Sequence, residues 1–178
     1  MYKRALAGME KALGPNHTST LTTVNNLGIL FYEQTRLSSM INLTSKWGGK
    51  SVNLYGCLGR MLLQRADELS AQIAFQQQVI LRDAVAVFVN IKCDGCSQAV
   101  TYDTQRFICK QCQHGDLCGE CFKKHTSDVS PIYTCLGHSF FEIYSQRSPS
   151  SDGFSSISWK ERARWLQDIM AKYLDDVD

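Results

Sequence analysis

No stretch of this 178-residue chain approaches the roughly 20 consecutive apolar residues that a membrane span requires, so no membrane role is expected. Met1 is followed by the charged, amphipathic YKRALAGMEKAL rather than by an apolar signal segment, which places the chain in the reducing cytoplasm or the nucleus. No Lys/Arg run is longer than two residues and the formal net charge is only +2, so bulk electrostatics give no reason to expect a nucleic-acid partner. No Ser/His/Asp or Cys/His constellation for nucleophilic catalysis stands out either, and an enzyme is not expected.

What the chain does have is cysteine in register. Cys93, Cys96, Cys109, Cys112, Cys118, Cys121, Cys135 and His138 form four pairs, CDGC, CKQC, CGEC and CLGH. A two-residue gap lets both side chains of a pair turn toward one metal without strain, and two pairs close a tetrahedral site with no open position. Eight such ligands suffice for two structural zinc ions. Disulfides would need an oxidising compartment, and a thioredoxin-like redox motif would need a single CxxC opening a helix after a strand. His125, four residues after Cys121, is a rival to Cys135 as a ligand, while His114 reads as a surface histidine in a loop. Cys57 lies outside the ladder among Leu54, Leu58 and Leu62 and reads as a small buried apolar residue.

Ligating thiols must be deprotonated, so charge follows the metal. The segment from Cys93 to His138 holds five carboxylates against four Lys/Arg residues. With seven thiolates and two Zn²⁺ counted, the loaded segment carries about −4, which favours cationic peptides or a free amino terminus. A unit of about fifty residues buries too little apolar surface to fold unaided, and metal-dependent folding is expected.

Upstream, the periodicity is helical. Leu6, Met9 and Leu13 mark a helix over residues 2–13 that stops at Gly14-Pro15. A second helix is expected from Thr18, as N-cap, to Gln34, with Leu21, Val24, Leu27, Leu30 and Phe31 as its stripe. Residues 38–51 (SSMINLTSKWGGKS) read as a loop or irregular insert. A second helix pair follows, with Leu54, Leu58, Met61 and Leu62 on one helix and Leu69, Ile73, Phe75 and Val79 on the next, after a turn at Ala66-Asp67. Strands are expected over residues 84–91 (AVAVFVNI), 104–108 (TQRFI) and 139–143 (SFFEI). After the Ser/Pro/Gly-containing stretch SQRSPSSDGFSS, the residues Trp159, Arg162, Ala163, Leu166, Ile169, Met170 and Tyr173 mark an amphipathic helix that either packs back on the upstream helices or binds a partner.

Two resemblances follow from these patterns. MYKRALAGMEKALGPNHTSTLTTVNNLGILF resembles the long tetratricopeptide repeats of kinesin-light-chain-like proteins, with Tyr2 and Ala5 on the closing helix of one repeat and Leu27, Gly28 and Phe31 on the opening helix of the next. Leu58-Gly59 and Leu62 sit on the same template and continue with Ala71 and Phe75. The pattern departs where Met1 enters a repeat midway and where Met40 to Thr44 supply no second helix, as at the frayed end of a longer array. CDGC, the Tyr/Arg/Phe strand, CKQCQHGDLCGEC and CLGHSF resemble the ZZ-type zinc finger over residues 91–143. The resemblance implies a cross-brace, with Cys93, Cys96, Cys118 and Cys121 on one zinc and Cys109, Cys112, Cys135 and His138 on the other. Cys135 departs from the family, which usually has histidine there.

The expected fold class is therefore α plus a small zinc-stabilised β-rich module: partial tetratricopeptide-like helical hairpins over residues 1–83, a ZZ-type finger over 88–144, a linker over 145–157 and a carboxyl-terminal helix over 158–175. The resemblance implies a protein–protein interaction module, with Asp94 and Asp116 matching acidic residues that hold a peptide's amino terminus in some members, though the position two before Asp116 is His114 rather than an acid. Both aspartates also read as acceptors for backbone amides in the metal loops. Two other readings remain. One is a RING-like ubiquitin ligase component, disfavoured by the five residues between Cys112 and Cys118, and the other a purely structural zinc cap on the helical scaffold.

Overall fold

The computed structural model describes residues 2–34, 36–85, 91–100, 105–112, 115–127, 135–143 and 158–173. Among these lie seven helices and a small antiparallel sheet: α1 Tyr2–Leu13, α2 Thr18–Glu33, α3 Leu37–Trp47, α4 Val52–Gln64, α5 Glu68–Val85, β1 Arg106–Cys109, β2 Asp116–Cys118, α6 Gly119–Thr126, β3 Phe140–Ile143 and α7 Trp159–Lys172. They divide into two units, a helical one spanning residues 1–87 with 156–178 and a cysteine-rich one spanning residues 88–155.

The helical unit is built from stacked hairpins. α1 packs on α2, α2 on α3 and α4, α3 on α4, and α4 on α5. Gly59 shows why small residues stand on these helices, because a Cβ there would lie 2.7 Å from the Phe75 ring. The α2 stripe buries Val24, Leu27 and Phe31, whereas the cap falls one residue earlier than the sequence predicts. His17, not Thr18, is the N-cap, its Nδ1 accepting the Ser19 N–H at 3.2 Å.

Residues 37–47 correct the expectation of a loop. Leu37, Met40, Ile41, Leu43, Thr44 and Trp47 are all buried at helical spacing, so burial of one face decides the conformation against the Ser/Thr/Asn content. The Thr44 hydroxyl donates to the Met40 carbonyl at 2.8 Å, which satisfies a polar group that would otherwise oppose burial. The stripe on α5 is also corrected. Leu69 is 67% exposed and Ile73 and Val79 are only half-buried, whereas Phe75 is buried as expected, together with Ala71 and Ala74. Asp67 sets that phase as the cap of α5, its Oδ1 accepting the Ser70 N–H at 3.2 Å.

α7 returns to the helical unit and packs on α3. Its start is a full capping box, in which Ser158 Oγ accepts the Glu161 N–H at 3.3 Å and Glu161 accepts the Ser158 N–H at 2.7 Å. Leu166 and Ile169 are buried, Trp165 stacks on Tyr55 with centroids 6.5 Å apart, and Arg162 donates to Gln77. Ala163, placed on the apolar stripe by spacing, is exposed.

In the cysteine-rich unit the strands order β2-β1-β3, all antiparallel, with Phe107 opposite Leu117 and Glu142 and Ile108 opposite Asp116 and Phe141. The strand expected over residues 84–91 is corrected at its start, since α5 runs through Val85, and residues 86–90 of it lie outside the described residues. The other two strands begin later than predicted, at Arg106 and Phe140, and Thr104 lies outside the described residues. The linker of residues 145–157 also lies outside them. A small cluster of Cys93, Val100, Phe107, Leu117 and Cys121 forms the core, flanked by Ile91, Cys118, Phe122 and Phe140.

Candidate metal centres

Each two-residue gap brings the ligand atoms of its pair close to one another. In the first of them Cys93 N–H bonds the Gln98 carbonyl at 2.8 Å and Ser97 N–H bonds the Cys93 carbonyl at 2.7 Å, folding residues 91–100 into a knuckle. Cys118, at the end of β2, and Cys121, in the first turn of α6, approach it from the sheet. The second knuckle follows β1, where Gly115 (φ 148) passes so close that a Cβ would meet that of Cys109 at 2.8 Å. Cys135 and His138 close the set, His138 N–H bonding the Cys135 carbonyl at 3.0 Å.

Two tetrads result: Cys93, Cys96, Cys118 and Cys121, then Cys109, Cys112, Cys135 and His138, with all ligand atoms of each within 4.8 Å of one another. A tetrahedron with metal–sulfur bonds of about 2.3 Å has sulfur–sulfur edges of about 3.8 Å. Here Cys96 and Cys118 Sγ are 3.9 Å apart, and Cys112 and Cys135 Sγ are 3.5 Å apart. His138 Nδ1 lies 3.5 Å from Cys109 Sγ and 3.3 Å from Cys112 Sγ. Each tetrad can hold a metal ion, and pairs one and three interleave with pairs two and four along the chain.

Electrostatics within the tetrads call for a cation. Burial, then the neighbouring thiols Cys112 and Cys109, push the Cys135 thiol up to about 12. Burial, then Cys93, Cys118 and Cys96, push Cys121 up as well. Cys93 goes the other way: burial opposes its ionisation, but backbone N–H groups of Cys118, Cys96 and Gly95 outweigh it and hold the thiol at about 7. Cys118 N–H reaches Cys93 Sγ at 3.3 Å, and Cys112 N–H reaches Cys109 Sγ at 3.3 Å. Such amide donors orient thiolates toward a metal.

The remaining candidates fall outside both tetrads. Asp94 N–H bonds the Asp116 carbonyl at 2.8 Å, and Asp94 Oδ2 accepts the Asp116 N–H at 2.6 Å, tying the first knuckle to β2. The Asp94 residue itself is exposed. Asp116 Oδ1 accepts from Arg106 Nε at 2.8 Å, in a pair whose side chains are 9% and 14% exposed. His125 sets its ring edge against Phe140, with centroids 5.0 Å apart, and His114 lies outside the described residues. Cys57 sits half-buried on α4, and burial pushes its thiol up to about 11 against the opposing pull of Arg60. Sequence reasoning missed Arg106 and Gly115. The only signal for Arg106 is a charge in an otherwise apolar strand, and for Gly115 a glycine just before the Asp-Leu-Cys element.

No family model, curated protein or solved structure matches the chain.

Proposed function

We propose that residues 91–143 form a ZZ-type, zinc-dependent protein-interaction module joined to tetratricopeptide-like hairpins. The observation that carries this reading is the pair of interleaved tetrads with edges of tetrahedral length. Tetrahedral S₄ and S₃N donor sets suit zinc, and His138 in the second set disfavours an all-thiolate iron–sulfur cluster there. Protein atoms take all four positions at each site, so the two zinc ions are structural and leave no position for an activated water. Catalysis is not part of this function, and seven reduced thiols suit the cytoplasm or nucleus.

The partner is a protein or peptide presenting a cationic group or a free amino terminus, and neither nucleic acid nor membrane is its target. Asp94 is the contact this reading favours, because its carboxylate is exposed while that of Asp116 pairs with Arg106. A second reading, a structural zinc cap for the helical scaffold, draws support from the same Asp94 carboxylate, which already accepts the Asp116 amide.

Native mass spectrometry of the full chain tests the metal, with two zinc ions per chain expected. A peptide array carrying free and acetylated amino termini then tests the partner. Signal lost on acetylation and on Asp94→Ala supports amino-terminus recognition, and binding indifferent to both leaves the scaffold reading.

A further inference from the structure

The two tetrads are not equally protected from solvent. Cys96 is exposed and Cys118 partly so, which places one edge of the first tetrad at the surface. In the second tetrad Cys109 and Cys135 are buried at 2% and 1% exposure, and Cys112 and His138 are partly buried. Charge runs the same way. Four thiolates around a divalent ion leave a formal −2, whereas three thiolates and an imidazole leave −1. Attack of sulfur on an oxidant is favoured by negative charge and by access, and the more anionic tetrad is also the one that holds an exposed sulfur.

We propose that the Cys96–Cys118 edge is an oxidation site, through which a hydroperoxide releases the first zinc while the second stays in place. This rests on the zinc reading above. The Cys96 thiolate attacks a peroxide oxygen, the O–O bond breaks, and the departing oxygen leaves as hydroxide or alkoxide that takes up a proton. Cys96 becomes a sulfenic acid. The Cys118 thiolate, whose sulfur lies 3.9 Å away, then attacks the sulfenic sulfur, a disulfide forms, and hydroxide leaves. The two sulfurs together lose two electrons and the peroxide gains them. Bond formation closes their separation to about 2.0 Å. Cys93 and Cys121, left as two ligands, no longer complete a tetrahedral site.

The consequence is graded. The first tetrad fixes the knuckle of residues 91–100, where Asp94 is exposed, together with the end of β2 and the start of α6, whereas β1 and the turn at Cys135 are held by the second. Oxidation therefore loosens the surface proposed for the partner along with β2, and leaves the β1–β3 pairing beside the second tetrad in place.

The test uses the zinc-loaded full chain, hydrogen peroxide as oxidant, a zinc-sensitive chromophore, and mass-spectrometric mapping of disulfides after alkylation. One zinc is expected to leave faster than the other by on the order of tenfold, with Cys96 in the first disulfide and Cys109, Cys112 and Cys135 still reduced, following thiolate character and access. Equal release rates, or a first disulfide other than Cys96–Cys118, overturn the proposal. A chain that binds no zinc at the outset instead overturns the metal reading beneath it. Cys96→His keeps a ligand that cannot form a disulfide, and it is expected to abolish the early release while both metals remain bound. Early release that persists in this variant counts against the proposal. Should the variant fail to load, the disulfide map of the unaltered chain still decides.

Discussion

Arg106 and Asp116 place a guanidinium and a carboxylate in a sheet of very short strands, bonded at 2.8 Å and almost shielded from water. Removing the guanidinium leaves a largely desolvated carboxylate without its 2.8 Å cationic partner, which costs far more than the pair itself contributes. Arg106→Met is therefore expected to destabilise the zinc-loaded module by about 3 kcal/mol, read as a lower denaturant midpoint or easier loss of metal to a chelator. Arg106→Met with Asp116→Asn should recover much of that loss, and failure to recover would show that the strand needs the guanidinium for another reason. Asp67 is the corresponding residue in the helical unit, where its Oδ2 accepts from Lys172 Nζ at 2.8 Å and from the Tyr173 hydroxyl at 2.9 Å. Burial pushes its carboxyl up, but the hydrogen bonds from Lys172, Tyr173 and Ser70 outweigh this and hold it below its ordinary value. A depressed carboxyl contributes stability above its unfolded value, about pH 4, and loses it as pH falls through the folded one. The Asp67 hydrogen bond raises Lys172, and burial followed by Asp67 raises Tyr173, so their contributions are lost as pH rises through the folded values above about pH 10. Thermal melts should show the stability difference between the native chain and Asp67→Asn to be flat from about pH 5 to 9 and to shrink toward both extremes. A difference that stays constant down to pH 2 would mean that Asp67 acts only as the cap of α5.

At the scale of elements, α7 tests whether helix packing or helix propensity holds the fold. Leu166 is buried against the helical unit, so Leu166→Ala should cost about 3 kcal/mol, while Ser158→Ala, which removes only the capping box, should cost about 1 kcal/mol. Equal losses in chemical denaturation would mean that the helix is frayed from the surface it covers. α3 shows where sequence reading fails and why. Its Ser, Thr and Asn residues favour turns in isolation, and only the neighbouring helices reveal that Met40, Ile41, Thr44 and Trp47 share one buried face. α5 fails in the opposite direction at one position, because Leu69 fits a helical stripe by spacing yet the Asp67 cap turns it to solvent, while Ala71 and Phe75 face inward as their spacing predicts. β2 and α6 are too short for any periodicity and depend on the sulfurs they carry. The tetrads are legible for a local reason: the eight side chains they gather are those singled out by a two-residue gap, which needs no tertiary context. The Arg106–Asp116 pair spans ten residues and two strands, and no local pattern marks it.

The molecule as a whole divides its stability between two sources. The helical unit buries Trp47, Tyr55, Phe75, Leu54, Leu58 and Leu62 in an apolar core, whereas the core of the other unit is a cluster in which two of five members are cysteines of the candidate metal tetrads. Structural zinc supplies on the order of 10 kcal/mol per site in small domains, more than such a cluster can offer. A strong chelator added to the full chain should therefore unfold residues 91–143 while most helical circular dichroism remains, since α6 is the only described helix of that unit. Protease cleavage should appear first within the same stretch. The two events are also coupled by connectivity, because the helical unit continues in α7 after the insert of residues 88–155. Unfolding that insert lengthens the flexible loop that α7 must close, and loop entropy grows only logarithmically with length. The unfolding free energy of the helical unit should therefore fall by no more than on the order of 1 kcal/mol when metal is withdrawn. Far larger loss, with the helices melting alongside the metal sites, would show that the two units unfold as a single cooperative block and that zinc stabilises both.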